Sequence, residues 1–328
     1  MANKADYREL IHTPADLASE HVQWAQSLQD VPGVPFGISS VDKKVIPMHP
    51  GDMIIFCARP GHGKSSILAY LARAEAKRII ERGKGQEECV VFVTFEQVTE
   101  ELNAVLQVSQ KHSVNDIVWG RVNMDEVREQ AIKRVSLPIW LIGDSLARTG
   151  AKSPRMYPET IFEAIEWIKE EYGRKPTLLC FDYIQLIPIP AEGDRQKQVI
   201  EAAHRAKELA KRVGCPAAVA VQAGRDVDKR DNKIPTMQDA QWSSSIEQAA
   251  DKFFSLWRPW LTEPHIDSYG NPAVVTLDNQ DYTVTQELLI MSMLKQRFDN
   301  GRWTWALHFR PEYLQICAIE RDLDRVQV

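Results

Sequence analysis

Residues 58–65 read Ala58-Arg59-Pro60-Gly61-His62-Gly63-Lys64-Ser65, between the apolar run Met53-Ile54-Ile55-Phe56-Cys57 and the stretch Ser66-Ile67-Leu68-Ala69-Tyr70-Leu71-Ala72. Strand, glycine turn and helix in that order are the setting in which a Lys-Ser pair marks a phosphate cradle. Within residues 60–65 the backbone N–H groups, which Pro60 lacks, would converge on a phosphate at the positive end of the helix. Lys64 would reach the outer oxygens and Ser65 would hold Mg²⁺. The strict pattern asks for glycine where Ala58 stands, and alanine is small enough for a strand end. The alternative is an ordinary strand-to-helix turn that happens to contain a lysine. Agreement of both flanks with the Lys-Ser pair weighs against it.

Transfer of a phosphoryl group to water also needs a metal ligand, a group that orients the water and positive charge for the transition state. Asp182 ends the apolar run Leu178-Leu179-Cys180-Phe181 and is followed by Tyr183-Ile184-Gln185-Leu186. A carboxylate enclosed by apolar residues needs a cationic partner, and a metal supplies one. Glu96 follows the run 89–95 at the carboxyl end of a strand, where open α/β sheets bind ligands, and is a candidate to polarise the attacking water. The ordinary alternative is an acid at a helix start. Gln222, just past the run 217–221, can sense a terminal phosphate. Lys295-Gln296-Arg297 closes the run 288–294. Arg297 is either a solvated charge or a finger that reaches the nucleotide of another copy.

The elements that must position these residues alternate as strand and helix. Strands are expected at 53–57, 89–95, 138–143, 178–182, 217–221, 252–257 and 288–295, and helices at 64–82, 99–111, 123–135, 158–172, 195–213 and 245–250. Apolar runs without alternation belong to strands covered on both faces. The expected fold is therefore α/β, a doubly wound, mainly parallel sheet. The runs 303–309 and 314–319 are expected to add an antiparallel pair at the sheet edge. The polar stretch 258–287, interrupted by Ala273-Val274-Val275, is too long for a plain connection and is read as a hairpin flap or functional loop. At the start, residues 1–13 read as a flexible polar tail. Thr13-Pro14-Ala15-Asp16 opens a helix over 14–30, which a Pro/Gly connector ending at residue 36 separates from a domain over 37–328. That helix must bury Leu17, Val22, Trp24 and Leu28 on its own domain or on a neighbouring copy.

Bulk properties narrow the class. The chain has 328 residues, 44% apolar and 26% charged, an ordinary globular composition. Forty Lys+Arg against forty-five Asp+Glu give −5, so any nucleic-acid contact is local rather than driven by global charge. Cys57, Cys89, Cys180, Cys215 and Cys317 are widely spaced and read as small hydrophobes in a reducing compartment, not as a disulfide or zinc framework. With no apolar leader and no membrane-length run, the expected location is cytoplasmic, with no membrane contact.

Taken together, the motifs resemble the RecA-like P-loop ATPase domain of DnaB-type hexameric replicative helicases, including phage-encoded relatives. The blocks that carry the resemblance are Pro50-Gly51-Asp52-Met53-Ile54-Ile55 with residues 58–65, Thr94-Phe95-Glu96, Phe181-Asp182-Tyr183-Ile184-Gln185-Leu186, Val221-Gln222 and Lys295-Gln296-Arg297. Ser245-Ile246-Glu247-Gln248-Ala249-Ala250-Asp251 also matches a family signature, and Ala58 is normal for the family. The resemblance runs from about residue 14 to the end. It implies ATP as substrate with Mg²⁺, bound by Arg59, Pro60, Gly61, His62, Gly63, Lys64, Ser65 and Ser66. Glu96 would be the catalytic acid, Asp182 the metal-holding acid and Gln222 the γ-phosphate sensor, while Lys295 and Arg297 would act on the adjacent subunit's site. Helix 14–30 would dock on the next protomer of a hexameric ring. Loops at 187–195, 224–233 and 238–245 would face single-stranded DNA, with Arg195, Arg225, Lys229, Arg230, Lys233 and Trp242 as contacts.

Two departures bear on function. Few residues precede helix 14–30, so the family's collar domain is not expected here, and primase binding is not carried over. This lean architecture points toward a phage or other mobile element. The third loop reads Asp239-Ala240-Gln241-Trp242-Ser243-Ser244-Ser245 where relatives carry Arg-Glu-Ser-Gly, so Trp242 either stacks a base or lies half-buried beside the next helix. Three readings follow. The first is a ring-shaped DNA translocase. The second is a related ATPase without unwinding activity that loads or regulates a partner on DNA, a loader or another replication or mobile-element protein. The third is a RecA- or clock-like ring or filament ATPase.

Overall fold

The computed structural model describes residues 11–30, 33–108, 113–148, 154–189, 195–240, 243–299 and 301–319. Most of the expected polar tail, the end of the expected helix 99–111, much of loop 187–195, and Trp242 lie outside the described residues. The chain divides into two units, Met1–Gly33 and Val34–Val328.

The first unit holds α1 (Pro14–Asp30). Thr13 caps it: the Asp16 N–H donates to Thr13 Oγ1 at 3.2 Å, while Thr13 N–H and Oγ1–H donate back to Asp16 Oδ2 at 2.9 and 2.7 Å. Leu17, Val22 and Trp24 are exposed.

In the second unit α2 (Ser39–Asp42) leads to β1 (Met53–Ala58), α3 (Lys64–Glu81), β2 (Glu88–Thr94), α4 (Thr99–Gln107), α5 (Val114–Val118), α6 (Met124–Val135), β3 (Ile139–Ile142), α7 (Pro158–Tyr172) and β4 (Lys175–Asp182). Then come α8 (Arg195–Val213), β5 (Ala217–Gln222), α9 (Ser243–Ala249), β6 (Lys252–Trp257), β7 (Val274–Leu277), β8 (Gln280–Thr283), β9 (Leu288–Gln296), β10 (Trp303–Arg310) and β11 (Gln315–Ala318). One nine-stranded sheet runs in the order β11-β10-β9-β6-β1-β5-β4-β2-β3. The strands from β6 to β3 are parallel, and β9, β10 and β11 are antiparallel. This is the mainly parallel α/β sheet with an antiparallel C-terminal edge that the apolar runs predict.

Strand pleating explains those unbroken runs. Ile54, Phe56 and Ala58 of β1 enter a core shared with α3, while Met53, Ile55 and Cys57 enter a second core shared with α7 and α8. Every β1 side chain is therefore fully enclosed. In the first core Phe56 stacks on Phe254 with centroids 5.3 Å apart and planes 13° from parallel, a geometry worth about 0.5–1.5 kcal/mol beyond burial. The four cysteines Cys57, Cys89, Cys180 and Cys215 lie in these interiors, whereas Cys317 is exposed on β11. No helix among the described residues is long and apolar enough to cross a membrane.

Several boundaries differ from expectation for local reasons. Strand β4 begins at Lys175, before its apolar run: Pro176, which has no N–H to offer the ladder, sits opposite Cys89 and Leu178 opposite Val90, so β4 carries Thr177 as an extra, bulged residue. Helix α4 stops at Gln107. Helix α5 has no counterpart among the expected elements; its signal is the capping box in which Ser113 and Asp116 satisfy each other's backbone. The stretch 258–287 does contain a hairpin, β7–β8, whose two-residue turn has positive φ at Asp278 (48°) and Asn279 (62°).

Candidate nucleotide site and its opposite edge

Four neighbouring parallel strands end side by side. In the registers, Ala58 of β1 sits opposite Gln222 of β5, and Thr94 of β2 opposite Asp182 of β4, with β5 and β4 adjacent. The chain beyond β1 is residues 59–63, which turn into α3. Gly61 (φ 80°) and Gly63 (φ 95°) adopt the left-handed conformation the turn requires. A Cβ on Gly63 would lie 3.0 Å from Phe309 Cζ, so β10 packs directly beneath the loop. Ala58, at the position where the strict motif has glycine, is wholly buried at the strand end.

Lys64 folds back under the loop, and its Nζ donates to the carbonyls of Ala58 (3.2 Å) and Arg59 (3.1 Å). Burial depresses its ammonium below the usual lysine range, against the opposing pull of Asp182 and Glu96. Asp182 is 1% exposed, and its Oδ1 is buried without a hydrogen-bond partner. Burial lifts its carboxyl to about 6; the nearby Glu96 charge adds to the rise, while a hydrogen bond to Ser65 and the charge of Lys64 work against it. A carboxylate oxygen with no partner, beside a serine hydroxyl and at the foot of a phosphate-type loop, fits a hard divalent cation such as Mg²⁺. Glu96 is exposed on the turn after β2. That turn is fixed by Thr94 Oγ1, which donates to the Gln97 carbonyl (2.8 Å) and accepts from the Gln97 N–H (3.2 Å), and by the Phe95 N–H, which donates to the Asp182 carbonyl (2.9 Å). Gly143 lets the end of β3 press against this turn, since a Cβ there would stand 2.5 Å from Thr94 Cγ2. Ser66 follows Ser65 within the first turn of α3.

Two residues beside the loop escape the sequence reading except as loop members or strand ends. His62 is 4% exposed, and its Nδ1 accepts the Arg258 backbone N–H at 2.9 Å. Burial, followed by the charges of Lys64 and Arg258, pushes the imidazole down to about 4. Arg258 donates to the carbonyls of Gly61 (3.3 Å) and Gln286 (2.9 Å) and lies over the Phe309 ring. It ties the loop to the strap that carries β7–β8. No sequence signal distinguishes an arginine after a strand from a solvated one.

Lys295 and Arg297 are not part of this constellation. Because β9 runs antiparallel to β6, its last residues lie at the start of β6 and β1, the sheet edge opposite the loop. Lys295 Nζ donates to the Glu247 carbonyl (2.7 Å), and Arg297 pairs with Asp251 at 3.2 Å. The Arg297 side chain is 64% exposed.

The basic residues expected to meet DNA are mostly paired within the chain. Lys229 bonds Asp226 (2.8 Å), Arg230 bonds Asp239 (2.6 Å) and Lys233 bonds Glu263 (2.7 Å). Arg59 pairs with Asp228 (2.9 Å). Arg225 has no ion pair among the described residues. Arg195 opens α8, with its side chain outside the described residues, as is Trp242.

A family model described as "DnaB-like helicase C terminal domain" matches residues 33–316. Curated relatives include the replicative DNA helicase DnaB of Leifsonia xyli, 28% identical over 69% of this chain and 47% of its own length. The replicative DNA helicase DnaC of Bacillus subtilis is 26% identical over 90% of this chain and 58% of its own length. The chain thus spans about half the length of these relatives. Among solved structures, one described as an ATPase domain has a TM-score of 0.71 at 17% identity, covering 97% of this chain and all of that one. A DnaB-like replicative helicase, described with its interactions with primase, has a TM-score of 0.70 at 18% identity, over 92% of this chain and 66% of that one.

Proposed function

Because the chain belongs to the DnaB-like helicase C-terminal domain family, we propose that it is an ATP-driven motor that moves on single-stranded DNA as a ring of six copies. The observation that carries this reading is the partnerless Asp182 oxygen beside Ser65 and Lys64 at the foot of the glycine loop. Residues 59–66 cradle the phosphates, and Lys64 exchanges its carbonyl partners for their oxygens. Ser65 and Asp182 would hold Mg²⁺, which supplies neutralising charge for the phosphate oxygens. Glu96 orients the attacking water and takes its proton, and Gln222 contacts the terminal phosphate. Lys295 and Arg297 act on the site of the adjacent copy. That assignment is supported by their position at the sheet edge opposite their own loop, about 20 Å away for a six-residue strand.

In this reading residues 1–13 are a tail, 14–36 a linker whose exposed Leu17, Val22 and Trp24 dock on the next copy, and 37–328 the ATPase domain. The ring works in the cytoplasm, and its further partners are a loader or another replication protein. The pairing of Lys229, Arg230 and Lys233 favours a second reading, a related ATPase that loads or regulates a partner without unwinding, because paired cations release fewer counterions on binding DNA.

The test is DNA-stimulated ATP turnover beside strand displacement. Lys64→Ala is expected to abolish turnover, since positioning and charge are most of what the protein contributes. Full turnover in that variant would remove the site assignment, and stimulation without displacement would select the second reading.

A further inference from the structure

Asp251 stands between α9 and β6, 5% exposed, and three elements converge on it. Its Oδ2 accepts the Met53 N–H at the start of β1 (2.8 Å) and a hydrogen bond from Lys207 Nζ of α8. Its Oδ1 faces Arg297 Nη1 at 3.2 Å, and its carbonyl accepts the Arg297 N–H at 2.8 Å. Lys207 is itself anchored, donating to the Gly51 carbonyl at 2.6 Å. Burial works to raise the Asp251 carboxyl, but the Lys207, Met53 and Arg297 partners overcome it and hold the group below the usual range. The contacts are lopsided: Asp251 and Lys207 are enclosed, whereas Arg297 is mostly in solvent. An exposed arginine with many rotamers is thus held, by backbone and by guanidinium, against a fixed carboxylate.

We propose that Asp251, braced by Lys207, is the positioning residue that presents Arg297 to the nucleotide of the neighbouring copy. This deepens the assignment of Arg297 above and rests on it. Orientation of a transition-state cation is costly to lose, because misplacement by an ångström at such a site lowers rate far more than binding. The Lys207 contact adds a mechanical link. Helix α8 starts on the loop side of the sheet, after Asp182 and β4, and runs back to the opposite edge before β5 begins. One rigid helix therefore joins the region of a copy's own metal-holding acid to the support of the arginine it lends.

The experiment is a double-mutant cycle on the full chain, assembled on single-stranded DNA, with kcat and KM for ATP measured for Arg297→Ala, Asp251→Asn and the double variant. Asp251→Asn is expected to lower kcat roughly 10–100-fold with KM near wild type. On the Arg297→Ala background it is expected to add nothing, because it acts through that side chain. A purely structural role would instead lower both backgrounds alike, and that outcome overturns the proposal, as does an unchanged kcat in Asp251→Asn. If Asp251→Asn does not fold, Lys207→Gln is put through the same cycle, with the same expectation and the same overturning results. An Arg297→Ala chain that turns over at the wild-type rate strikes instead at the assignment of Arg297 itself, and this inference falls with it.

Discussion

At the scale of single residues, the loop depends on side chains that are uncomfortable where they sit. His62 is the clearest case. Its imidazole has a pKa of about 4 in the fold, against about 6.5 in an unfolded chain. Between those values the unfolded chain binds more protons, so stability rises with pH across that window. The contribution is complete above about 6.5 and is lost as pH falls toward 4, and it amounts to about 3 kcal/mol at full size. Thermal unfolding followed from pH 7 to pH 4 is expected to lose less stability in His62→Gln, which keeps an acceptor for the Arg258 N–H, than in wild type. Parallel curves for the two proteins would remove His62 from the pH response.

At the scale of elements, the glycine loop is shaped by the strand beneath it as much as by its own sequence. Gly63 combines a φ of 95° with Phe309 at contact distance from any added Cβ. Gly63→Ala is expected to cost about 1–3 kcal/mol, read as a lower urea midpoint with an unchanged slope. Phe309 is fully buried and Phe309→Leu carries its own cavity cost, so the glycine change is measured against that single variant. It is expected to cost less there than in wild type but not nothing, because the trimmed ring relieves the contact and not the backbone angle, and a cost of zero would place all of it in the contact. The same loop shows where the sequence was legible. Glycines at 61 and 63 before a Lys-Ser pair announce a turn whatever lies around it, and apolar runs without alternation announce a sheet covered on both faces. Phe309 and Arg258 could not be read as neighbours of the loop, because nothing local in a β-strand or in the residue after one encodes which helix terminus it meets. Lys175 was illegible as a strand start because the adjacent Pro176 reads as a strand breaker, and only the bulge at Thr177 lets the pairing with β2 run through it.

At the scale of the whole molecule, the candidate residues separate into two groups at opposite edges of one sheet. The order of motifs along the chain carries no sign of this, because the direction of β9 is set by its antiparallel pairing with β6. The consequence for activity is measurable by mixing. Lys64→Ala and Arg297→Ala are each expected to be nearly inactive, the second by about 10³-fold in hydrolysis with nucleotide binding retained. Mixed in equal amounts, they are expected to regain turnover, since about a quarter of the interfaces in a random head-to-tail assembly pair an intact loop with an intact arginine. A mixture no more active than its parts would argue against action between copies.

The antiparallel turn of β9 therefore has an arithmetic of its own. If Arg297 acts between copies as proposed, two rigid bodies cannot bring the loop edge of each onto the arginine edge of the other, so a pair completes at most one of its two centres. A row of such bodies always has one loop with no donor and one donor with no loop, whatever its length. Only when the two ends meet does the final centre come into being without another chain being added, and in that step closure itself becomes the reward.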